Sequence, residues 1–172
     1  MDDEILDFVD GHDKVIGKVN RKDYKQFIAN QSGFIRVSEL FIINDEGKVW
    51  VPIRTANKTI APNGYDYSAA GHVESGEGYL GTIIRESKEE INLDITPEDI
   101  EFVAKLKSVS IRCIRCIYLL RTNETPEFNP QDFVSAQWLS PSQIISMIDG
   151  GHAAKINLRD TLVTLQMYLA GV

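Results

Sequence analysis

Three glutamates, Glu86, Glu89 and Glu90, stand within five residues of one another in a 172-residue chain of net charge −7. The wider stretch GHVESGEGYLGTIIRESKEEINLD, from Gly71 to Asp94, holds six acidic side chains. Like charges at this density repel, so they either line a solvated helix face or await something positive. On a helix from Gly78 to Ile91, at ~100° per residue, Leu80, Ile83, Ile84 and Ile91 fall on one flank. Glu86, Glu89 and Glu90 fall on an adjacent arc, with Arg85 one turn from Glu89 and able to orient a carboxylate. Three carboxylates beside a buried flank make a platform for a hard cation such as Mg²⁺, which is bound through carboxylates, waters and substrate phosphates. Upstream, Gly71, Gly76 and Gly78 allow a tight loop whose backbone can add a carbonyl ligand. The competing reading is an ordinary amphipathic helix with glutamate on its wet side.

Other residues extend or limit that chemistry. Arg54 and Lys58 follow a central strand, where they either meet substrate phosphates or serve as surface cations. His72 adjoins the acidic stretch and reads as a spare loop histidine. His12 and His152 suggest no chemistry, and Tyr65 and Trp50 read as core rather than as platforms for a base. Cys113 and Cys116 form a CxxC within SIRCIRCIYLL, an alternating, β-branched string. On a strand that spacing puts the two thiols on opposite faces, and no second pair exists to complete a zinc site.

The elements that must position these residues can be read along the chain. Residues 5–19 form a hairpin around Asp10-Gly11. Asn20 is placed to cap a short helix through RKDYKQFIA, and residues 30–33 break it. FIRVSELFIIND and KVWVPIRT are strands joined at Asp45-Glu46-Gly47, and YSAAGHV is a short strand running into the acidic stretch. Strands follow near 100–109 and 111–121, then a polar loop and the strand FVSAQWL. Ser140 caps a helix that opens on Pro141, and a last helix spans about 157–169. Strands alternating with helices predict an α/β fold, a mixed sheet covered by helices on both faces. Residues 1–172 read as one domain, with 1–33 as an N-terminal hairpin and short helix. An apolar fraction of 43% and a charged fraction of 25% are those of a soluble protein. The acidic balance argues against nucleic acid as partner. No signal-like or membrane-spanning apolar run appears, so a cytoplasmic location is expected, and a homodimer is compatible with the chain.

The stretch resembles the signature of the Nudix hydrolases: Gly, five residues, Glu, seven residues, then Arg-Glu-U-x-Glu-Glu-x-Gly-U, with U a bulky aliphatic. Gly71, Glu77, Arg85, Glu86, Glu89, Glu90 and Leu93 match, seven of nine defined positions over 23 residues. Ser87 and Asn92 depart from it. Asn is the usual second choice to Gly at a left-handed helix end, and a buried Ser can bond back one turn along the helix. The resemblance covers roughly 35–150, with the box at 71–93, and implies a Nudix-type α/β/α sandwich. IRTANK…PNGYDYSAAGHV and the N-terminal hairpin are similar to the isopentenyl-diphosphate-isomerase-like branch.

Carried over position by position, the resemblance implies that Glu86, Glu89 and Glu90 bind Mg²⁺, with Mn²⁺ as a substitute, and that the Ala70 carbonyl is a further ligand. Glu77 would brace the loop–helix unit or join the outer metal shell, and Arg85 would hold a carboxylate. Glu86, Glu89 and Arg85 form the implied catalytic group. Activated water would attack one phosphorus of a pyrophosphate and release two phosphorylated products. The branch's usual Glu three residues before Trp138 is Ser135 here, which leaves Asp132 first, then Glu127 and Glu124, as candidates for an acid outside the box. The expected substrate is a small-molecule nucleoside diphosphate derivative. The isomerase reaction is the alternative; the resemblance implies that it uses a Cys in the strand before the box and histidines upstream for its metal, yet Tyr67-Ser68-Ala69-Ala70 holds no thiol and residues 13–71 hold no histidine. A non-catalytic nucleotide-binding module is the third reading.

Overall fold

The structure is a computed structural model that describes residues 4–30 and 32–172, the side chains of 28–30 excepted. The chain opens with a hairpin of β1 (Ile5–Val9) and β2 (Val15–Asn20). Asp10 closes its turn by accepting the amides of His12 at 2.8 Å and Lys14 at 3.0 Å. Asn20 caps the turn that precedes helix α1 rather than the helix itself: its side chain accepts from the Lys22 amide at 3.1 Å, and α1 spans Tyr24–Asn30. Part of the expected break after it, Gln31, lies outside the described residues.

The main sheet has the order β6-β7-β3-β4-β8, with β5 on β3. Its strands are β3 (Ile35–Ile43), β4 (Val49–Arg54), β5 (Ala69–His72), β6 (Ile100–Ser108), β7 (Cys113–Arg121) and β8 (Phe133–Leu139). β3 and β7 run parallel and the other pairs antiparallel, so the sheet is mixed as expected. Helix α2 (Tyr79–Ile91) follows β5, and α3 (Pro141–Asp149) and α4 (Leu158–Leu169) follow β8. Ser140 and Gln143 form a reciprocal capping box ahead of Pro141.

Alternation along β3 explains the layers. Leu40 and Ile42 turn toward α2 and pack with Trp50, Ile83 and Ile91. Phe41 and Ile43 turn the other way and pack with Leu158, Leu162 and Leu165 of α4. A central strand buried on both faces must be apolar throughout, which is why FII reads as a run and not an alternation. The result is an α/β/α sandwich. Cys113 and Cys116 sit on opposite faces, the first with Leu6, Val19 and Ile35 and the second on the α2 side. Burial raises both thiols, Cys116 to about 12, which leaves them protonated and unreactive. No helix among the described residues is long and apolar enough to cross a membrane.

Candidate active site

The acidic stretch becomes a loop, a helix and a defined stop. Gly78 leads into α2 in extended conformation, without a side-chain cap of its own. Glu77 supplies the organisation instead: it accepts from Thr82 Oγ1 at 2.8 Å and from the Glu74 amide at 3.3 Å. At the far end Asn92 adopts the left-handed conformation (φ 50°, ψ 32°) and its amide bonds to the Ser87 carbonyl. Ser87, fully buried, donates to the Ile83 carbonyl at 2.7 Å. Both departures from the signature are thus geometrically accommodated.

Arg85 is the hub of the carboxylates. Its Nε and Nη2 each donate to Glu77 at 3.1 Å. Its Nη1 donates to Glu86 Oε1 at 2.8 Å and to Glu89 Oε2 at 3.3 Å. The repulsion evident in the sequence is therefore offset within the protein, by one guanidinium hydrogen-bonded to three acids and 3.7 Å from a fourth, Glu74. Hydrogen bonding to Arg85 holds the Glu77 carboxyl below its ordinary range.

Glu86 and Glu90 converge on two residues of β5. The Ala70 amide donates to Glu90 Oε2 at 2.9 Å. A Cβ built on Gly71 would lie 1.9 Å from Glu86 Oε1, so glycine is required for the carboxylate to rest there. Strand geometry orients the Ala70 carbonyl as well. The Val73 amide bonds to the Arg36 carbonyl at 3.1 Å, and the register continues as Ser38↔Gly71 and Glu39↔Ala70. Alternation in an antiparallel ladder then makes 38 and 71 a bonded pair and turns the amide and carbonyl of residue 70 away from β3. Burial raises both carboxyls: Glu86 despite Arg85, and Glu90 to about 8 despite Lys155, with Asp66 and Glu86 adding to the rise.

Among the described residues no three His, Cys, Asp or Glu side chains are already grouped as a ligand set. The cause is visible in the contacts just given: Glu89 leans on Arg85, with its side chain 57% exposed, while Glu90 is tied to Ala70. The donors nonetheless suit a hard cation, since two carboxylates and one outward carbonyl, all oxygen, meet at Ala70–Gly71.

On the inner side of β5 lies a cavity of about 530 Å³ that Ala70, Gly71 and His72 help to line. It runs between the N-terminal unit (Tyr24) and the segment joining α3 to α4 (Lys155). His72 is pushed down to about 3 by burial and by the nearby Arg21 and Lys155, and so is neutral. Arg54 and Lys58 line the same cavity, as a phosphate-facing role requires, but each has a carboxylate partner the sequence did not reveal. Arg54 pairs with buried Asp66 and donates to the Ile60 carbonyl at 2.8 Å; Lys58 pairs with Asp132. Asp132 is thereby engaged by Lys58, and Glu124 and Glu127 are exposed. Their loop does reach the acidic helix, through the Asn129 amide on the Glu90 carbonyl at 2.8 Å. Tyr65 and Trp50 are core residues, 0% and 1% exposed. Reading the sequence missed Glu39, Asp66, Arg115 and Lys155, which sit on separate elements and share no local pattern.

Comparison with known proteins agrees with this geometry. The NUDIX domain family model matches residues 35–161. An uncharacterized Nudix hydrolase of Nostoc sp. is 37% identical over 99% of this chain and 98% of its own. A Nudix hydrolase of Deinococcus radiodurans is 35% identical over 93% of this chain and 92% of its own. The crystal structure of DR0079 from Deinococcus radiodurans superposes with a TM-score of 0.81 at 32% identity, covering 92% of this chain and 97% of that one. An isopentenyl-diphosphate Delta-isomerase of Shigella boydii is more distant, 24% identical over 63% of each chain, so the branch suggested by the sequence has only weak support. The chain belongs to the Nudix family and is a pyrophosphohydrolase of that family.

Proposed function

We propose that the protein hydrolyses, with Mg²⁺ or in its place Mn²⁺, the pyrophosphate bond of a nucleoside diphosphate linked to another moiety. The observation that carries this reading is the meeting of Glu86 and Glu90 at Ala70–Gly71, on the rim of a cavity rich in cationic side chains. Glu86, Glu90 and the Ala70 carbonyl would hold the cation. When bound, it would neutralise the diphosphate and make its phosphorus a better electrophile.

The chain's own residues do the rest. Arg85 keeps Glu86 against β5 and Glu77 keeps Arg85 in place. Glu89 has the most exposed carboxylate of the three and a single 3.3 Å contact to Arg85, which suits it to swing toward the substrate and take the proton of the attacking water. The water oxygen bonds to one phosphorus, the bridging P–O bond breaks, and its electron pair leaves on the second phosphate. Arg54 and Lys58 present cations to the substrate from the cavity wall, and the three loop acids Asp132, Glu127 and Glu124 stand in reserve as outer groups. The proposal takes residues 1–172 as one cytoplasmic domain.

A product screen tests this reading: nucleoside di- and triphosphates, nucleotide sugars, dinucleoside polyphosphates and isopentenyl diphosphate, each with and without Mg²⁺. Two phosphorylated products, formed only with the cation, support it. Isomerised product without phosphate release would move the chain to the isomerase branch, and binding without turnover would make it a nucleotide-binding module.

A further inference from the structure

Among the described residues, seven cationic side chains line the cavity behind β5 (Arg21, Lys25, Arg54, Lys58, Arg112, Arg115 and Lys155), against one carboxylate, Glu39. In a chain of net charge −7 this is a strong segregation of charge, and a concave basic wall concentrates anions. Several of the seven are answered by carboxylates outside the lining: Arg54 and Lys155 by Asp66, Lys58 by Asp132, and Arg21 by Glu4.

Arg115 is different. It is 5% exposed, and its Nη1 is pinned from three elements. Nη1 donates to Glu39 Oε2 on β3 at 2.9 Å, to the Tyr67 hydroxyl at 3.1 Å and to Thr161 Oγ1 on α4 at 2.9 Å. Its Nε–H is buried and has no partner among the described residues. An unpaired donor in such a position is costly and calls for an acceptor. A guanidinium fixed at one corner, with its Nε edge unsatisfied, is suited to a two-oxygen anion.

We infer that Arg115 binds a second anionic group of the substrate, a phosphate or carboxylate carried by the moiety beyond the scissile diphosphate. The inference rests on the hydrolase reading only in placing the diphosphate beside Glu86 and Glu90. Arg115 pairs with Val37, and Val37 with His72, so its backbone lies two strand spacings, ~10 Å, from β5. A sugar or nucleoside spans such a gap. The two ends of the substrate are then recognised by opposite means. The diphosphate meets carboxylates that need a cation, whereas the remote anion meets the guanidinium directly.

The test is calorimetric binding in EDTA, where no metal-supported turnover occurs, with two matched pairs: UDP-glucuronate against UDP-glucose for a carboxylate, and coenzyme A against dephospho-coenzyme A for a phosphate. The member with the extra anionic group should bind about tenfold tighter in at least one pair. Which pair responds identifies the anion. The double substitution Glu39→Leu with Arg115→Met removes both buried charges together, a change that interiors tolerate better than removing one. It should abolish the difference and leave the affinity of the member without the extra anionic group within about twofold, because only the charge-assisted bond is lost. Should that variant fail to fold, Arg115→Lys keeps the charge but not the fork, and should remove most of the difference. No difference in either pair, including no binding of any member, overturns the inference, and so does a difference that survives either substitution. If nothing is hydrolysed with Mg²⁺ yet the Arg115-dependent difference stands, the hydrolase reading fails and this one holds.

Discussion

A Cβ on Gly71 would lie 1.9 Å from Glu86 Oε1 and 2.1 Å from its Cδ, so the carboxylate of Glu86 occupies the space that a side chain at residue 71 would need. The glycine and the glutamate are 15 positions apart in sequence, and the turn between β5 and α2 brings them together. Gly71→Ala should therefore push Glu86 off β5 while leaving the layers intact, since the three atoms nearest that Cβ all belong to the Glu86 side chain. A displacement of ~1 Å in a catalytic group costs about 10²-fold in rate. The expected result is a fall of that order in kcat with an unchanged circular dichroism spectrum. Full activity would show that Glu86 does not act from this position.

Arg85 joins Glu77, Glu86 and Glu89. Removing it by Arg85→Ala releases the repulsion it offsets. Because the partners are partly exposed, with side chains from 13% to 57% accessible, the loss of stability should be modest, about 1 kcal/mol by urea denaturation. The loss of activity should be far larger, because Glu86 is no longer oriented. Arg85→Lys should recover most of the stability and little of the activity, since an ammonium cannot reproduce the fork. Equal recovery of both would reduce Arg85 to a charge balance.

Burial raises Glu90 from an ordinary 4.5 to about 8. Between those values the folded chain keeps a proton that the unfolded chain has lost, so this group's contribution to stability falls as pH rises through that window. A cation held by Glu90 must displace the proton. Mg²⁺ binding should then tighten from pH 6 to pH 8 and release protons at pH 7. Calorimetry in buffers of different ionisation heat reads the release directly. Glu90→Gln should abolish it and flatten the fall in stability over the same range. Proton-neutral binding by the wild-type protein at pH 7 would mean that Glu90 is not a ligand.

Asn92 ends α2 at φ 50°. Asn92→Ala should cost about 1 kcal/mol and Asn92→Gly should be neutral or stabilising, because only residues without a Cβ penalty hold this conformation cheaply. Chemical denaturation of the two variants checks the order. If alanine is as stable as glycine, the left-handed stop is not what terminates the helix.

These residues also show what a sequence can disclose. The helix, its buried flank of Ile83 and Ile91, the back-bonded Ser87 and the left-handed Asn92 were all legible, because each depends on spacing within a few turns. The strands were legible from β-branched runs, and the Ser140-Pro141 helix start from its capping chemistry. The cavity was not. Glu39, Tyr67, Arg115 and Thr161 meet only because β3 and β7 run parallel and α4 returns across them, and no periodicity encodes that. The same limit applied to Arg54 and Lys58, whose positions were readable while their partners Asp66 and Asp132 were not. The spacing did place Arg85 one turn from Glu89, but not its further bonds to Glu77 and Glu86, which depend on how the loop before the helix folds back.

The central claim is that Glu86, Glu89 and Glu90 support cation-dependent cleavage of a pyrophosphate bond. Its most direct measurement is phosphorus NMR of the products formed from a diphosphate substrate found in the screen, with the wild-type protein and the Glu89→Gln plus Glu90→Gln variant, each with Mg²⁺ and with EDTA. The account predicts two phosphorylated products from the wild-type protein with Mg²⁺, and a loss of about 10³-fold or more in the variant and in EDTA, as befits removal of the main electrostatic stabilisation of a transferring phosphoryl group. Turnover that persists in EDTA, or a double variant as active as the wild-type protein, would contradict it.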